Sequence, residues 1–449
     1  PVVGATGFSV MRSLKLYLPA QLSRVKYKSH STKIRGLIID YLLSIFVSAS
    51  SFVLYWLIDR CIRVKESAMK KFYDKLMQTR HYLHQHPELS GQEFETTAFL
   101  KGYLEDLEIR ILESGLKTGL VAEVGSGKPV IALRADIDAL PILERTGLPY
   151  ASQNAGVMHA CGHDFHQTSL LGAAELLKAM EDDLRGTVRL IFQPAEETSQ
   201  GASQVLATGL LDDVSAIIGF HNMPQLKAGQ LALKAGAMMA GVEKFKVEVE
   251  GVSSHAARPD LGVDTVLTLT SMIQNLQALV ARTVSPFEAA VLSVTHIEAG
   301  ATWNVLPQSG FFEGTIRSFK PSLQQRLKED FIRIVENTAE NFGAQVRISW
   351  DHTPPVTYND PELAELLYEH SQNLAEVLPA SPSSAGEDFA FYQEKLPGVF
   401  AFIGSNGAEN APDLHHDSMV IDDEAFKVSV PYYVESALFL LQHYRQKVE

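Results

Sequence analysis

Cysteine is nearly missing from this chain, with only Cys61 and Cys161 in 449 residues. The two sit in very different surroundings, which excludes a disulfide framework and leaves Cys161 to be explained by other chemistry. Positive charge is also short. Against 53 Asp and Glu there are 39 Lys and Arg, a formal net charge of -14. No global basic field exists to gather a phosphate backbone, so nucleic acid is excluded as a partner and a small-molecule substrate fits better. Internal repeats and low-complexity tracts are absent. What is present is 46% hydrophobic content in a chain too long for one ordinary domain, enough to bury two cores.

The first 68 residues differ in texture from the rest. Residues 36–58 are almost wholly apolar, and Tyr41 to Ile58 carries no charge at all, a run long enough to span a bilayer. Lys26, Lys28, Lys33 and Arg35 precede it, and Arg60, Arg63 and Lys65 follow, so charge asymmetry sets no orientation. Residues 1–68 therefore read as an N-terminal extension with a membrane-spanning helix, as a segment appended ahead of a start at Met69, or as a buried helix. Membrane attachment is expected only through residues 36–58. From Met69 the sequence "MKKFYDKLMQTRHYLHQHPELS" reads as an amphipathic helix running into a loop.

Beyond Lys70, short apolar runs at Val130 to Leu133, Gly186 to Phe192 and Ser215 to Phe220 alternate with helical spacing over Gln167 to Met180 and Ser203 to Leu211. That alternation predicts an α/β domain with a largely parallel sheet and ligand-binding loops at its strand ends. After Gly241 the pattern changes. Alternating strands in "VEKFKVEVEG", "AAVLSVTHIEAG" and "SGFFEGTIRSF", helices at Thr265 to Ala281 and Ser322 to Phe342, and a last strand at Gln345 to Trp350 form a β-α-β-β-α-β order. The expected organisation is α/β: a catalytic domain over 69–240 and 352–449, with an inserted α+β, ferredoxin-like domain at 241–351.

The chemistry concentrates in a few blocks. In "MHACGHDFHQTSLLGAAELL", His159, Cys161, His163, Asp164 and His166 crowd against a helix start. Thiolate and imidazole two residues apart suit zinc or another borderline ion, and the helix end favours the thiolate. A capping Asp164 with buried histidines is the competing reading of this block taken alone. Glu196 and Glu197 stand where a strand gives way to a loop, so that one can bind metal while its neighbour shuttles a proton. His221 ends the apolar strand "AIIGFH", "DLHHDSM" offers His415 and His416, and Asp136 and Asp138 stand two apart in "ADIDALP". Cys161, His163, Glu197, His221 and a C-terminal His supply five ligand side chains, enough for two divalent cations sharing a bridging group. A hydroxide held between the ions would attack an amide carbonyl, with Glu196 taking the proton and passing it to the leaving amine.

Together with "HQHPELSGQE", "ALRADIDALPI", "FQPAEE", "GFHNMP", "GVSSHAARP", "NVLP", "GTIR" and "AGEDF", these blocks resemble the M20 metallopeptidase clan. The likeness is to its aminoacylase/amidohydrolase branch of hippurate hydrolases, auxin-conjugate hydrolases and N-acetyldiaminopimelate deacetylases, and it runs from about residue 70 onward. The resemblance implies a zinc-peptidase-like catalytic domain whose insert is a lid and dimerisation domain, hence a homodimer. It implies metal ligation by Cys161 as the bridge with His163, Glu197, His221 and His415 (in preference to His416), and Glu196 as general base. Asp138 becomes a carboxylate behind the ligands, His255 an oxyanion donor across the dimer, and Asn304 and Arg317 the grip on the substrate carboxylate. The activity implied is hydrolysis of N-acyl amino acids, with a dipeptidase or carboxypeptidase of the same clan as the alternative. Zinc or manganese is the expected metal, with cobalt and nickel tolerated by the same donors. A metal-bound Cys161 without disulfides is expected on the cytoplasmic side.

Overall fold

The computed structural model describes residues 67–448. The chain divides into two units, 1–71 and 72–449, and the proposed membrane segment at 36–58 lies outside the described residues. No helix among the described residues is long and apolar enough to cross a membrane.

The second unit opens with helix α1 (72–85 within it) and α2 (Phe94–Asp106). The strands β1 (Arg110–Leu112), β2 (Leu120–Gly125) and β3 (Val130–Asp136) follow, then α3 (His163–Ala179), β4 (Thr187–Gln193), α4 (Gly201–Ala207), β5 (Ala216–Lys227), β6 (Gln230–Leu233) and β7 (Gly236–Met239). Next come β8 (Gly241–Glu250), β9 (Ser254–His255), α5 (Thr265–Thr283), β10 (Ala290–Ala299), β11 (Val305–Leu306), β12 (Ser309–Ser318), α6 (Pro321–Phe342) and β13 (Gln345–Trp350). The chain ends through β14 (Thr357–Asn359), α7 (Pro361–Ser371), β15 (Glu376–Pro379), α8 (Ala390–Gln393), β16 (Gly398–Asn406) and α9 (Phe426–Val448).

Eight of these strands form one sheet in the order β1-β2-β4-β3-β5-β16-β6-β15. Its centre, β4-β3-β5-β16, is parallel. These strands are buried along almost their whole length, as parallel strands covered on both faces must be. One face packs on α3 and α9 through Phe165, Leu170, Tyr433 and Leu440. The opposite face carries a smaller core around Phe389, Phe400 and Phe402. Both chain halves thus build one sheet, since β15 and β16 return from beyond residue 352 to join it.

The segment between those halves makes its own sheet, ordered β10-β12-β8-β13 with all pairs antiparallel. The helices α5 and α6 cover one face, and Phe245, Val247, Leu276, Phe312, Leu327 and Phe331 fill a separate core. Alternation explains the covering: in "GVEKFKVEVE", Phe245, Val247 and Val249 are buried while Lys244 and Glu250 are exposed, one face inward and one outward. This is the ferredoxin-like order the sequence predicts.

Candidate metal centre and active site

The loops leaving β3, β4 and β16 converge at one edge of the large sheet, where His221 is supplied from within β5, which runs on to Lys227 instead of ending at the histidine. Cys161 lies just before α3, whose entry turns through Gly162 at φ 90°. A side chain at 162 would run into the Asn222 side chain, so this left-handed position requires glycine. His163 then becomes the first residue of α3, four residues earlier than its apolar spacing suggests.

Cys161 Sγ is 3.3 Å from His221 Nε2 and 3.3 Å from His415 Nε2. His415 Nε2 is 3.5 Å from Glu197 Oε2, and His163 Nε2 is 4.0 Å from Glu197 Oε1. Two of the rings are held from behind. The His221 Nδ1–H donates to the Asn222 carbonyl at 2.8 Å, and the His163 Nδ1–H donates to the Asp138 backbone oxygen at 2.9 Å with its carboxylate at 3.2 Å. Those bonds fix the tautomers that turn each Nε2 lone pair inward, as metal-ligating histidines require. Asp138 also accepts from the Glu197 backbone N–H at 3.0 Å and from Ser90 at 2.7 Å. The C-terminal loop is pinned by its own backbone: the His415 N–H donates to the Ala160 carbonyl at 2.9 Å, and His415 is held at φ 63°. His416, exposed like His415, instead places its Nδ1 3.3 Å from Asp417 Oδ1.

Glu196 and Glu197 occupy a tight turn after β4, not the strand end, and Ala195 before them sits at φ 52°. Their divergence comes from this turn. Glu196 Oε1 accepts the Asp388 N–H at 3.2 Å. Beneath it lies a group that sequence reading missed. Arg134, fully buried, donates to Asp136 at 2.7 Å, Glu387 at 2.9 Å, Asp388 at 2.8 Å and Gln193 at 2.8 Å. Its only signal in the sequence is an arginine inside the apolar run "VIALRAD".

The donor set fits divalent cations. His163 Nε2 and Glu197 Oε1 are buried with no hydrogen-bond partner, and the donor atoms of Cys161, His163 and His221, and of Cys161, Glu197 and His415, lie within 4.8 Å of one another. Charge agrees. Burial alone would lower the pKa of His163, but Asp136, Asp138 and Glu197 outweigh it and hold the ring up at about 10, so the cluster draws positive charge into itself. Burial pushes the Cys161 thiol well above its usual range, and Glu197 and Glu196 add to that. The helix end expected to favour the thiolate is overruled, and a directly coordinated cation is what deprotonates a thiol in such a place. Burial, Glu387 and Glu197 likewise raise the Glu196 carboxyl well above the carboxylate range.

Cys161, Glu196, Glu197, His221 and His415 line one cavity of about 1010 Å³. Arg317 of β12 also reaches it, its Nε donating to the Ser384 carbonyl at 2.9 Å. His255 and Asn304 are not brought to this cavity. They stand together at the antiparallel β9/β11 pair, where the Ala256 N–H donates to the Asn304 carbonyl at 3.0 Å, and His255 is exposed.

A sheet whose edge carries a paired-metal donor set with a further carboxyl group, Glu196, beside it in the cavity defines a metallohydrolase of the dinuclear kind. Residues 132–438 match Peptidase family M20/M25/M40, and the chain belongs to that family. It is 46% identical to an N-acetyl-L-cysteine deacetylase of Bacillus subtilis over 82% of this chain and 88% of that protein. An IAA-amino acid hydrolase of Arabidopsis thaliana is 38% identical over 76% of this chain and 80% of its own length. Among solved structures, a dinuclear metal-binding M20 peptidase of Bacillus subtilis superposes with a TM-score of 0.74 at 42% identity, over 83% of this chain and 99% of that one.

Proposed function

We propose that this chain hydrolyses the amide bond of N-acyl amino acids, giving a free amino acid and a carboxylic acid. The observation that carries the reading is the buried, unpartnered pair His163 Nε2 and Glu197 Oε1, 4.0 Å apart, beside a thiol that reaches two further imidazoles. Cys161, His163, Glu197, His221 and His415 would hold two cations with Cys161 between them. Zinc or manganese is our reading, and cobalt or nickel would be accepted by the same donors. Bound there, the ions supply Lewis acidity toward the carbonyl oxygen and lower the pKa of water. The likeness to an N-acetyl-L-cysteine deacetylase and to an IAA-amino acid hydrolase supports the substrate class.

Glu196 removes a proton from the attacking water, whose oxygen bonds to the acyl carbon. As the C–N bond breaks, Glu196 returns that proton to the amine. The Asp388 N–H steadies one oxygen of Glu196 while the carboxylate faces the cavity. Asp138 orients His163 from behind. Arg317, already at the cavity, takes the substrate carboxylate, a task suited to a planar guanidinium; Asn304, which stands beside His255, would reach the carboxylate bound in a second subunit. His255 donates to the oxyanion of a second subunit's substrate. Supporting a homodimer through the inserted domain, Trp303 and Phe287 are 90% and 98% exposed there, and strand β10 is an open edge carrying exposed Val291 and Ile297.

The test is release of free amine from N-acetyl, N-benzoyl and indole-acyl amino acids by the purified full chain, with manganese or zinc and with chelator. We expect metal-dependent release that chelator abolishes and added metal restores. Faster turnover of dipeptides than of any N-acyl amino acid would overturn the assignment in favour of a peptidase.

A further inference from the structure

The cavity floor beyond the metal centre has a direction, set by strand register. Phe402 of β16 is the cross-strand partner of His221 on β5. On its other side Phe402 pairs with Ala232 of β6, and Ala232 pairs with Leu378 of β15. Cross-strand partners point to the same face of a sheet. All four line the cavity, so His221, Phe402, Ala232 and Leu378 form one straight row at right angles to the strands. Three strand spacings make that row roughly 14 Å long. After His221 no ionisable side chain interrupts it. Met223, Leu226 and Met239 flank it within the same apolar cluster. The row starts at a proposed metal ligand and ends where Leu378 is only half-buried.

A floor this long is not needed for an acetyl group on a small amino acid, which would engage only its first step. We propose that the substrate carries an extended apolar arm that lies along Phe402, Ala232 and Leu378, with its scissile amide at the His221 end. Ala232 is the small residue midway that leaves the arm its depth. This inference rests on the amidohydrolase reading and deepens it. The arm has two possible sources, the acyl chain or the amino-acid side chain, and the chemistry recognised is the same.

The experiment measures kcat/KM for two series on the metal-loaded full chain. One series holds alanine constant and runs from N-acetyl through N-hexanoyl to N-decanoyl. The other holds acetyl constant and runs from alanine through norleucine to 2-aminodecanoic acid. In the series that supplies the arm, kcat/KM should rise about two- to fourfold per added methylene until the row is filled. Ala232→Trp should collapse the ratio of longest to shortest substrate toward one. Leu378→Glu, at the half-buried far end where folding is least at risk, should cut the gain of the longest arm more than that of the middle one. A flat profile in both series, or a ratio unaltered by both substitutions, overturns the proposal. Hydrolysis of N-acetylalanine with flat series would leave the amidohydrolase reading standing, whereas no hydrolysis of any member would sink that reading itself.

Discussion

The two sheets treat polar side chains in opposite ways. In the eight-stranded sheet, Arg134, Asp136, Asp138, His163, Glu387 and Asp388 are all essentially inaccessible, and nearly every one is answered by a named partner. In the inserted domain, Arg317 on the four-stranded sheet and His255 and Asn304 at the two-stranded β9/β11 sheet are exposed or only half-buried, and the ion pairs are superficial, like Arg347 with Glu248. The first arrangement is assembled by folding the single chain and tolerates little change. In the proposed function, the second presents groups that a substrate or a second subunit completes. One site is thereby divided between these two regions, a rigid half of buried, mutually bonded groups and, in the proposed function, an adaptable half of exposed ones.

The sharpest test of the rigid half is Glu196→Gln, which keeps the shape and the Asp388 hydrogen bond but removes the base. We expect kcat to fall by about 10³ with metal content, read by elemental analysis, unchanged. Next in size is Arg134→Met, which strands Asp136, Glu387 and Asp388 without their common cation. Loss of stability on the order of 3–5 kcal/mol is expected in denaturant titration, whereas Arg347→Met in the four-stranded sheet should cost under about 1 kcal/mol. Equal costs would erase the contrast between the sheets. For the adaptable half, His255→Ala should lower kcat about 10²-fold while leaving the thermal midpoint in place, because the ring is exposed. A large fall in thermal midpoint would mean that His255 is structural.

The smallest effect is a pH dependence. His84 is buried, which by itself lowers its pKa, but the charge of Asp164 and hydrogen bonds to Asp164 and Glu144 outweigh that and hold it at about 9. The unfolded ring titrates near 6.5. Its stabilisation is therefore complete below about pH 6.5 and is lost as pH rises through 9. Relative to His84→Asn, the native chain should lose on the order of 2 kcal/mol between those limits, read as converging denaturation midpoints. Parallel curves would show that His84 stays neutral.

Much of this architecture is written in local pattern. The alternation around Phe245 and Val247 and the helical spacing of α5 and α6 were sufficient to predict the inserted sheet. Cys161 and His163 stood out by the density of histidines before a helix, Glu197 and His221 by their place at the end of apolar runs, and His415 by the resemblance; the structure brings their donor atoms together. Boundaries failed where burial and polarity part company. Strand β3 was expected to stop at Leu133 but runs to Asp136, because Arg134 and Asp136 satisfy each other inside the core. Helix α3 starts at His163 because Gly162 supplies a left-handed entry that apolar spacing does not register. Pairings across the chain were illegible. Arg134 meets Glu387 over 253 residues, and the row from His221 to Leu378 depends on strand order and register that no local window contains.

The thiol of Cys161 and the imidazole of His415 are 254 residues apart in the chain. On a ribosome adding about 5–20 residues per second, His415 emerges roughly 13 to 50 s after Cys161. A cation held by both side chains is therefore captured only after the chain has been made through His415. Loading reports that synthesis has passed His415, and a chain terminated before β16 and the loop after it carries no complete cradle.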